Sequence, residues 1–231
     1  MPKVLCIDSS SRSATSVTRQ LTEAFMARFK SSNPTAEIMH RDLIAEGISF
    51  VSDASISTLY TPAEQRTPTM AALYEQLSVY ADEVVAADLI ILGAPMYNFT
   101  VPAALKAYID MIVFPGKTFA YDGGAPVAML AGQNKKIIVF TASGGNYDEL
   151  PYKAYDFLDP YLRAVFAFIG IPTLSLSKCR GTTKPLCKPR LKKPWPKLRI
   201  WLHNQLLSKL LFLLDEETVA NTVHVANNRG F

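Results

Sequence analysis

Three short stretches carry the groups best suited to chemistry, and they lie far apart in the chain. The first, Ser9-Ser10-Ser11-Arg12-Ser13-Ala14-Thr15-Ser16, follows the apolar run of residues 3–8 and precedes Val17, Leu21, Phe25 and Phe29, which recur at every fourth position. A buried strand that feeds a hydroxyl-rich loop and then a helix capped by Ser16 aims free backbone N–H groups, hydroxyls and the positive helix end at one point. That arrangement suits a phosphate. A well-capped helix after a polar turn would use the same residues without any ligand. The second stretch, Ala94-Pro95-Met96-Tyr97-Asn98-Phe99, lies between the apolar residues 88–93 and the helical pattern of residues 101–110. It reads as strand, loop and helix, with Pro95 stopping the strand and Pro102 in a first helical turn. An exposed Met-Tyr-Asn-Phe loop at the carboxyl end of a buried strand is where an open α/β sheet holds a flat aromatic ligand. The third, Thr141-Ala142-Ser143-Gly144-Gly145, ends the strand pattern of residues 136–140. Paired glycines allow close backbone approach to a ligand, although an ordinary turn explains them equally well.

The remaining elements must bring these loops together. Residues 36–43 alternate as an edge strand, with His40 read as a surface residue that lacks a partner motif. Residues 45–68 form a connection with short helical pieces, and residues 69–87 form a helix through Met70, Leu73, Leu77, Tyr80, Val84 and Val85. After a break at Phe114-Pro115-Gly116, residues 117–124 look like a hairpin or lid. There Phe119 and Tyr121 either rim a site for an aromatic ring or belong to a partly buried hairpin. Residues 155–170 read as a helix with Phe157, Leu158, Tyr161, Leu162, Val165 and Phe168 on its apolar face, and residues 173–177 as a fifth strand. Regular alternation of strand and helix predicts an α/β, doubly wound, five-stranded parallel sheet, and the flavodoxin-like order 2-1-3-4-5 is the arrangement that agrees with the three loops. In that order strands one, three and four are neighbours at the switch point, so their three loops converge.

Composition sets the outer bounds. The 231 residues suffice for a domain, expected at 1–177, plus an extension at 178–231, and 49% hydrophobic with 19% charged residues fits a soluble globular chain. No run approaches the ~20 apolar residues of a membrane span, and the first residues pass straight into a strand pattern, so the expected address is cytoplasmic. Cys6 reads as an inert buried thiol, no metal-ligand spacing occurs, and Cys179 and Cys187 are either oxidised together or solvent-exposed bystanders. The net charge of +4 conceals an asymmetry: nine basic residues and no acid lie between Lys178 and Arg199, which leaves 15 basic against 20 acidic residues elsewhere.

The ordered loops resemble those of the FMN-dependent NADH:azoreductases, within the flavodoxin-like NAD(P)H:quinone reductases. The resemblance spans roughly residues 3–177 and centres on Ala94-Pro95-Met96-Tyr97-Asn98-Phe99 and the helix with Leu105, Lys106, Tyr108 and Asp110. Arg41-Asp42-Leu43, Thr118-Phe119-x-Tyr121, Gly144-Gly145 and Phe168-Ile169-Gly170-Ile171 also fall where the family has them. It implies FMN as cofactor, with phosphate contacts at Ser10, Ser16, Val17 and Thr18. Isoalloxazine contacts fall at Met96, Tyr97, Asn98 and Phe99, and a second flavin loop at Ala142, Ser143, Gly144 and Gly145. Thr18 replaces a usual serine but keeps the hydroxyl, whereas Thr141-Ala142-Ser143 departs from the more polar or basic residues of some relatives. The resemblance further implies a homodimer with the site between subunits, and Phe119 and Tyr121 on the substrate side.

On this reading NADH or NADPH reduces the flavin at N5 and leaves, and a quinone or azo compound then takes the electrons in a ping-pong cycle. No protein acid, base or metal is assigned. The N–H groups of Gly144 and Gly145 face the pyrimidine edge where charge develops, Asn98 bonds the same edge, and Tyr147 and Tyr121 either orient a substrate oxygen or are plain rim residues. A flavodoxin-type electron carrier or redox sensor is the rival function, because fold alone does not separate them. The extension has Pro185, Pro189, Pro194 and Pro196 before a Leu-rich helical pattern at 198–214. That pattern suits packing against its own domain or a second subunit. Together with its basic flank, 178–214 also suits peripheral contact with an anionic membrane at its inner face. Nucleic acid is the weakest reading.

Overall fold

The computed structural model describes residues 1–180. Cys187, the proline-rich basic segment from residue 181 onward and the 198–214 pattern with its membrane reading therefore lie outside the described residues. The chain runs β1 (Lys3–Asp8), α1 (Val17–Ser32), β2 (Glu37–Asp42), α2 (Asp53–Tyr60), α3 (Pro68–Ala86), β3 (Leu89–Pro95), α4 (Ala103–Ile112), β4 (Phe119–Asp122), β5 (Ala125–Ala128), β6 (Lys136–Ser143), α5 (Leu158–Phe168) and β7 (Leu174–Arg180). The main sheet has the order β2-β1-β3-β6-β7 and every pair is parallel; β4 and β5 form a separate antiparallel hairpin. With the hairpin set aside, this is the expected 2-1-3-4-5 order.

Each parallel crossover deposits its helix on a face set by its handedness and direction. The single leftward step, β1 to β2, puts α1 on one face, where Leu21, Phe25 and Phe29 cover Val4, Cys6, Ile91 and Phe140. The rightward steps put α3, α4 and α5 on the other, where Val84, Leu105, Tyr108, Leu162 and Phe166 cover Leu5, Ile7, Leu92 and Val139. Both faces of β1 and β3 are thus buried, which is why their sequences read as continuous apolar runs.

Pro95 ends β3 as expected: it is the last residue of the strand, in register with Ala142, and the Met96 N–H then donates to the Ala142 carbonyl at 2.8 Å. Three boundaries differ from expectation. Pro102 is the cap of α4 rather than part of its first turn. The expected 155–170 helix starts at Leu158, with Tyr152–Tyr155 in a separate 3-10 turn and Phe157 exposed. Finally, β7 continues to Arg180, past the expected domain end at 177, so Lys178 and Cys179 belong to the sheet. Cys179 is buried, not the exposed bystander considered above. Among the described residues no helix is long and apolar enough to cross a membrane.

Candidate functional site

The loop after β1 is held from behind. Ser9 ties back to β3, donating its N–H and hydroxyl to the Gly93 carbonyl at 3.3 and 2.7 Å. Gly93 permits this approach, because a Cβ there would sit 2.9 Å from Asp8 Oδ1 and 3.2 Å from Thr22 Cγ2. Ser16 caps α1 by accepting the Arg19 N–H at 3.3 Å, and its hydroxyl lies 3.2 Å from that of the buried Thr18, while Val17 is half-buried. Arg19 holds the loop's shape. Its guanidinium donates to the carbonyls of Ser10 at 2.9 Å and Arg12 at 2.9 Å, and grips Asp42 with two bonds of 2.6 and 2.7 Å. The Arg19 bond drops the Asp42 carboxyl to about 2, against burial and helped by the N–H groups of Ala45 and Ile44. Four of the expected phosphate contacts, Ser10, Ser16, Val17 and Thr18, therefore stand together at the N-terminus of a sixteen-residue helix.

The loop after β3 meets the first. Tyr97 and Thr100 exchange backbone hydrogen bonds of 2.9 and 3.2 Å around Asn98 and Phe99, whose φ angles are +46° and +76°. Two positive φ angles at the centre of a turn mark type I′. Asparagine tolerates that region; a phenylalanine there costs about 1–3 kcal/mol, strain typical of ligand-holding segments. The Tyr97 hydroxyl lies 3.3 Å from Ser10 Oγ and accepts the Ser11 N–H at 3.2 Å. Burial would raise this phenol, but those hydrogen bonds outweigh it and hold its pKa below the ordinary value. The Phe99 ring leans on Tyr155 and, edge-on, on Tyr147, at centroid distances of 5.4 and 6.1 Å, and its carbonyl accepts the Phe157 N–H at 3.0 Å.

The loop after β6 closes the group. Ser143 Oγ donates to the Gly145 carbonyl at 2.8 Å. At Gly144 a Cβ would meet nothing within 4 Å, and its φ is not positive. Neither conformation nor packing within the chain demands glycine there, so the space in front of it is open to a ligand. A cleft beside it is lined by Met96, Thr141, Ala142, Ser143, Tyr147, Asp148, Asp156, Leu158 and Lys178. Lys178 meets Asp148, Asp156 and Asp159 at 3.2, 3.2 and 3.1 Å, so three carboxylates surround one ammonium at the edge of the cleft.

Tyr147 thus joins the three loops, whereas Phe119 and Tyr121 do not within one chain. Phe119 is buried against Phe168 at 5.1 Å, and the hairpin is pinned to the far end of α5 by the Leu130 N–H to the Ile169 carbonyl. Ten residues of helix, about 15 Å, separate Phe168 from Leu158 at the cleft. Tyr121 is 61% exposed on the same hairpin. His40 has a partner after all: it meets the buried Asp8 at 2.9 Å, a bond that raises the imidazole pKa despite partial burial. Sequence reading assigned no role to Arg19, Lys178, Tyr155 or the Asp8–His40 pair. A cation three residues after the Ser16 cap and the quoted Arg41-Asp42-Leu43 were the only signals for the first.

Comparison with known proteins adds an independent line. Residues 2–191 match the family model described as flavodoxin-like fold. The FMN-dependent NADH:quinone oxidoreductase of Herminiimonas arsenicoxydans is 40% identical over 181 residues, 78% of this chain and 88% of that protein. The chain belongs to this flavodoxin-like family. Among solved structures, the azoreductase from Bacillus anthracis str. Sterne superposes with a TM-score of 0.72 at 26% identity, covering 99% of this chain and all of that one. An FMN-dependent NADH-azoreductase from Bacillus anthracis str. Ames Ancestor, in complex with FMN, shares the fold at the same TM-score and 22% identity, over 98% of this chain and 100% of its own. In this flavodoxin-like family member, hydroxyls stand at the N-terminus of α1, and the space before Gly144 holds no protein atom within 4 Å of where a Cβ would be.

Proposed function

We propose that the chain is an FMN-dependent NAD(P)H oxidoreductase that passes two electrons, by a ping-pong mechanism, to quinones or aromatic azo compounds. The observation that carries this reading is the junction of the loops after β1, β3 and β6. Tyr97 bonds the Ser10–Ser11 loop, Met96 bonds Ala142, and the space before Gly144 is open. Ser10, Ser16, Val17 and Thr18 would hold the phosphate. Met96, Tyr97, Asn98 and Phe99 would flank the ring, and Ala142, Ser143, Gly144 and Gly145 its polar edge. When bound, FMN supplies the two-electron chemistry.

The chain's own residues then have definite work. The N–H groups of Gly144 and Gly145 and the Asn98 amide offer fixed dipoles where negative charge develops, and being preorganised they pay no reorientation cost during reaction. Ser143 holds that turn by its bond to Gly145. Phe99, Tyr147 and Tyr155 present aromatic surface on which a flat donor or acceptor stacks. The exposed Tyr121, Val127 and Met129 on the β4–β5 hairpin support a homodimer in which Phe119 and Tyr121 approach the partner's site. Purified full-length protein should be yellow, bleach with NADH, and oxidise NADH faster when menadione or methyl red is added. A bound flavin with no acceleration by either acceptor would instead make the protein an electron carrier or sensor.

A further inference from the structure

We infer that Cys6, Asp8 and His40 form a binding site for a borderline divalent cation of the zinc class, separate from the flavin loops. Residue spacing conceals the set, since His40 is 34 positions from Cys6. The fold assembles it by two rules. A period of two puts Cys6 and Asp8 on the same face of β1, and parallel pairing places His40 of β2 directly opposite Cys6. One sulfur, one carboxylate oxygen and one imidazole nitrogen consequently lie within 4.8 Å of one another. In a tetrahedral zinc site, bonds of about 2.0–2.3 Å leave ligand atoms about 3.5 Å apart, so an edge at the 4.8 Å limit must contract by about 1.3 Å and the 2.9 Å edge between His40 and Asp8 must open by about half an ångström.

The outer contacts suit a metal site as well. Thr22 Oγ1 donates to Asp8 Oδ1 at 2.8 Å, which leaves Oδ2 turned toward His40 Nε2, 2.9 Å away. A carboxylate oriented by a hydroxyl is the kind of support that ligating groups need. Arg19, the neighbouring cation, is gripped in two places by Asp42. His40 is half exposed, with 52% of its side chain in contact with solvent, while Asp8 and Cys6 are buried. A cation therefore has an entry route from solvent beside the imidazole. Binding replaces the Nε2–H···Oδ2 hydrogen bond between His40 and Asp8 with bonds to the metal: the Nε2 proton moves to Nδ1 or to solvent, and the Cys6 thiol, which burial and Asp8 push up to about 12, gives its proton to solvent, so affinity should rise with pH. The bound ion would tie β1 to β2 immediately behind Ser9 and Ser10.

The test uses full-length protein titrated with Co2+, whose tetrahedral thiolate complexes absorb to the red of a flavin. Wild type should develop these bands, and Zn2+ should remove them by competition. Cys6→Ser and His40→Gln should each abolish them, and Thr22→Val should weaken Co2+ binding by about 10–100-fold. His40→Gln changes a half-exposed side chain, so it remains informative should Cys6→Ser fail to fold. Absence of the bands in wild type, or bands of unchanged affinity in His40→Gln, would overturn the proposal. The readout is independent of flavin content, so it stands or falls apart from the oxidoreductase reading.

Discussion

The two halves of the candidate site are built on opposite principles. On the phosphate side nearly every group is fixed by directional bonds: Arg19 spans Ser10, Arg12 and Asp42, Ser16 caps α1, and Tyr97 closes the loop from above. On the ring and acceptor side, Phe99, Tyr147 and Tyr155 touch through faces and edges, and Phe99, Tyr152, Tyr155 and Phe157 remain exposed. Charged ligands require donors at set positions, because an unmatched buried ion is costly. Flat aromatic ligands need area, which rotamer shifts can supply. Under the proposed function, that difference would hold the cofactor at fixed positions and leave the acceptor an adaptable aromatic surface.

Removing the strut should break the contrast most severely. Arg19→Met leaves the partly buried Asp42 unpaired and frees the Ser10 and Arg12 carbonyls, so stability should fall by about 3 kcal/mol and FMN affinity by about two orders of magnitude. Chemical denaturation and flavin fluorescence titration measure the two. Replacing Tyr155 with leucine, on the other side, should change acceptor kcat/KM by only a few-fold. Comparable losses in FMN affinity from both would erase the distinction.

Acid provides the next largest effect. Asp42 is held at about 2 against an ordinary 3.8, so the folded state binds its proton less readily than the unfolded chain. Its contribution, about 2 kcal/mol, is complete above pH 4 and is lost as pH falls from about 4 through 2. In urea melts, Asp42→Asn should flatten that part of the stability profile; an unchanged slope would mean that Asp42 and Arg19 do not pair in solution.

A gentler probe separates fold from ligand. Gly144→Val adds a side chain into space no protein atom occupies, so the melting temperature of flavin-free protein should stay within a few degrees while FMN affinity drops about tenfold. The smallest change comes from Tyr97→Phe. Loss of the bonds to Ser10 and Ser11 should weaken FMN binding by about three- to tenfold, near 1 kcal/mol, with acceptor preference unaltered. A shift in acceptor preference would show that the two halves are coupled through this tyrosine.

Much of the site was legible because its loops follow strands whose patterns are local. The periodicity of Val17, Leu21, Phe25 and Phe29 announced α1, and Ser16 capped it as expected. Apolar runs and short alternating stretches gave all five main-sheet strands, and their alternation with helices gave a parallel doubly wound sheet. Elements whose ends depend on pairing were less legible: β7 extends to Arg180 because its backbone stays paired with β6 as far as Ser143, and Lys178 there meets three carboxylates from residues 148–159, which no local pattern reveals. His40 looked partnerless for the same reason. Its partner Asp8 is 32 residues away and becomes adjacent only through strand register.

By itself, then, the sequence determined the kind of the main strands and helices and which of their loops carry hydroxyls, aromatic residues or glycines, since these follow from periods of two and 3.6 and from the chemistry of neighbouring residues. Tertiary structure alone decided the pairings: Arg19 with Asp42, Tyr97 with Ser10 and Ser11, Lys178 with its carboxylates, and Cys6 with Asp8 and His40. Such contacts depend on register and crossover geometry, and their distances are set only once the sheet has closed its order.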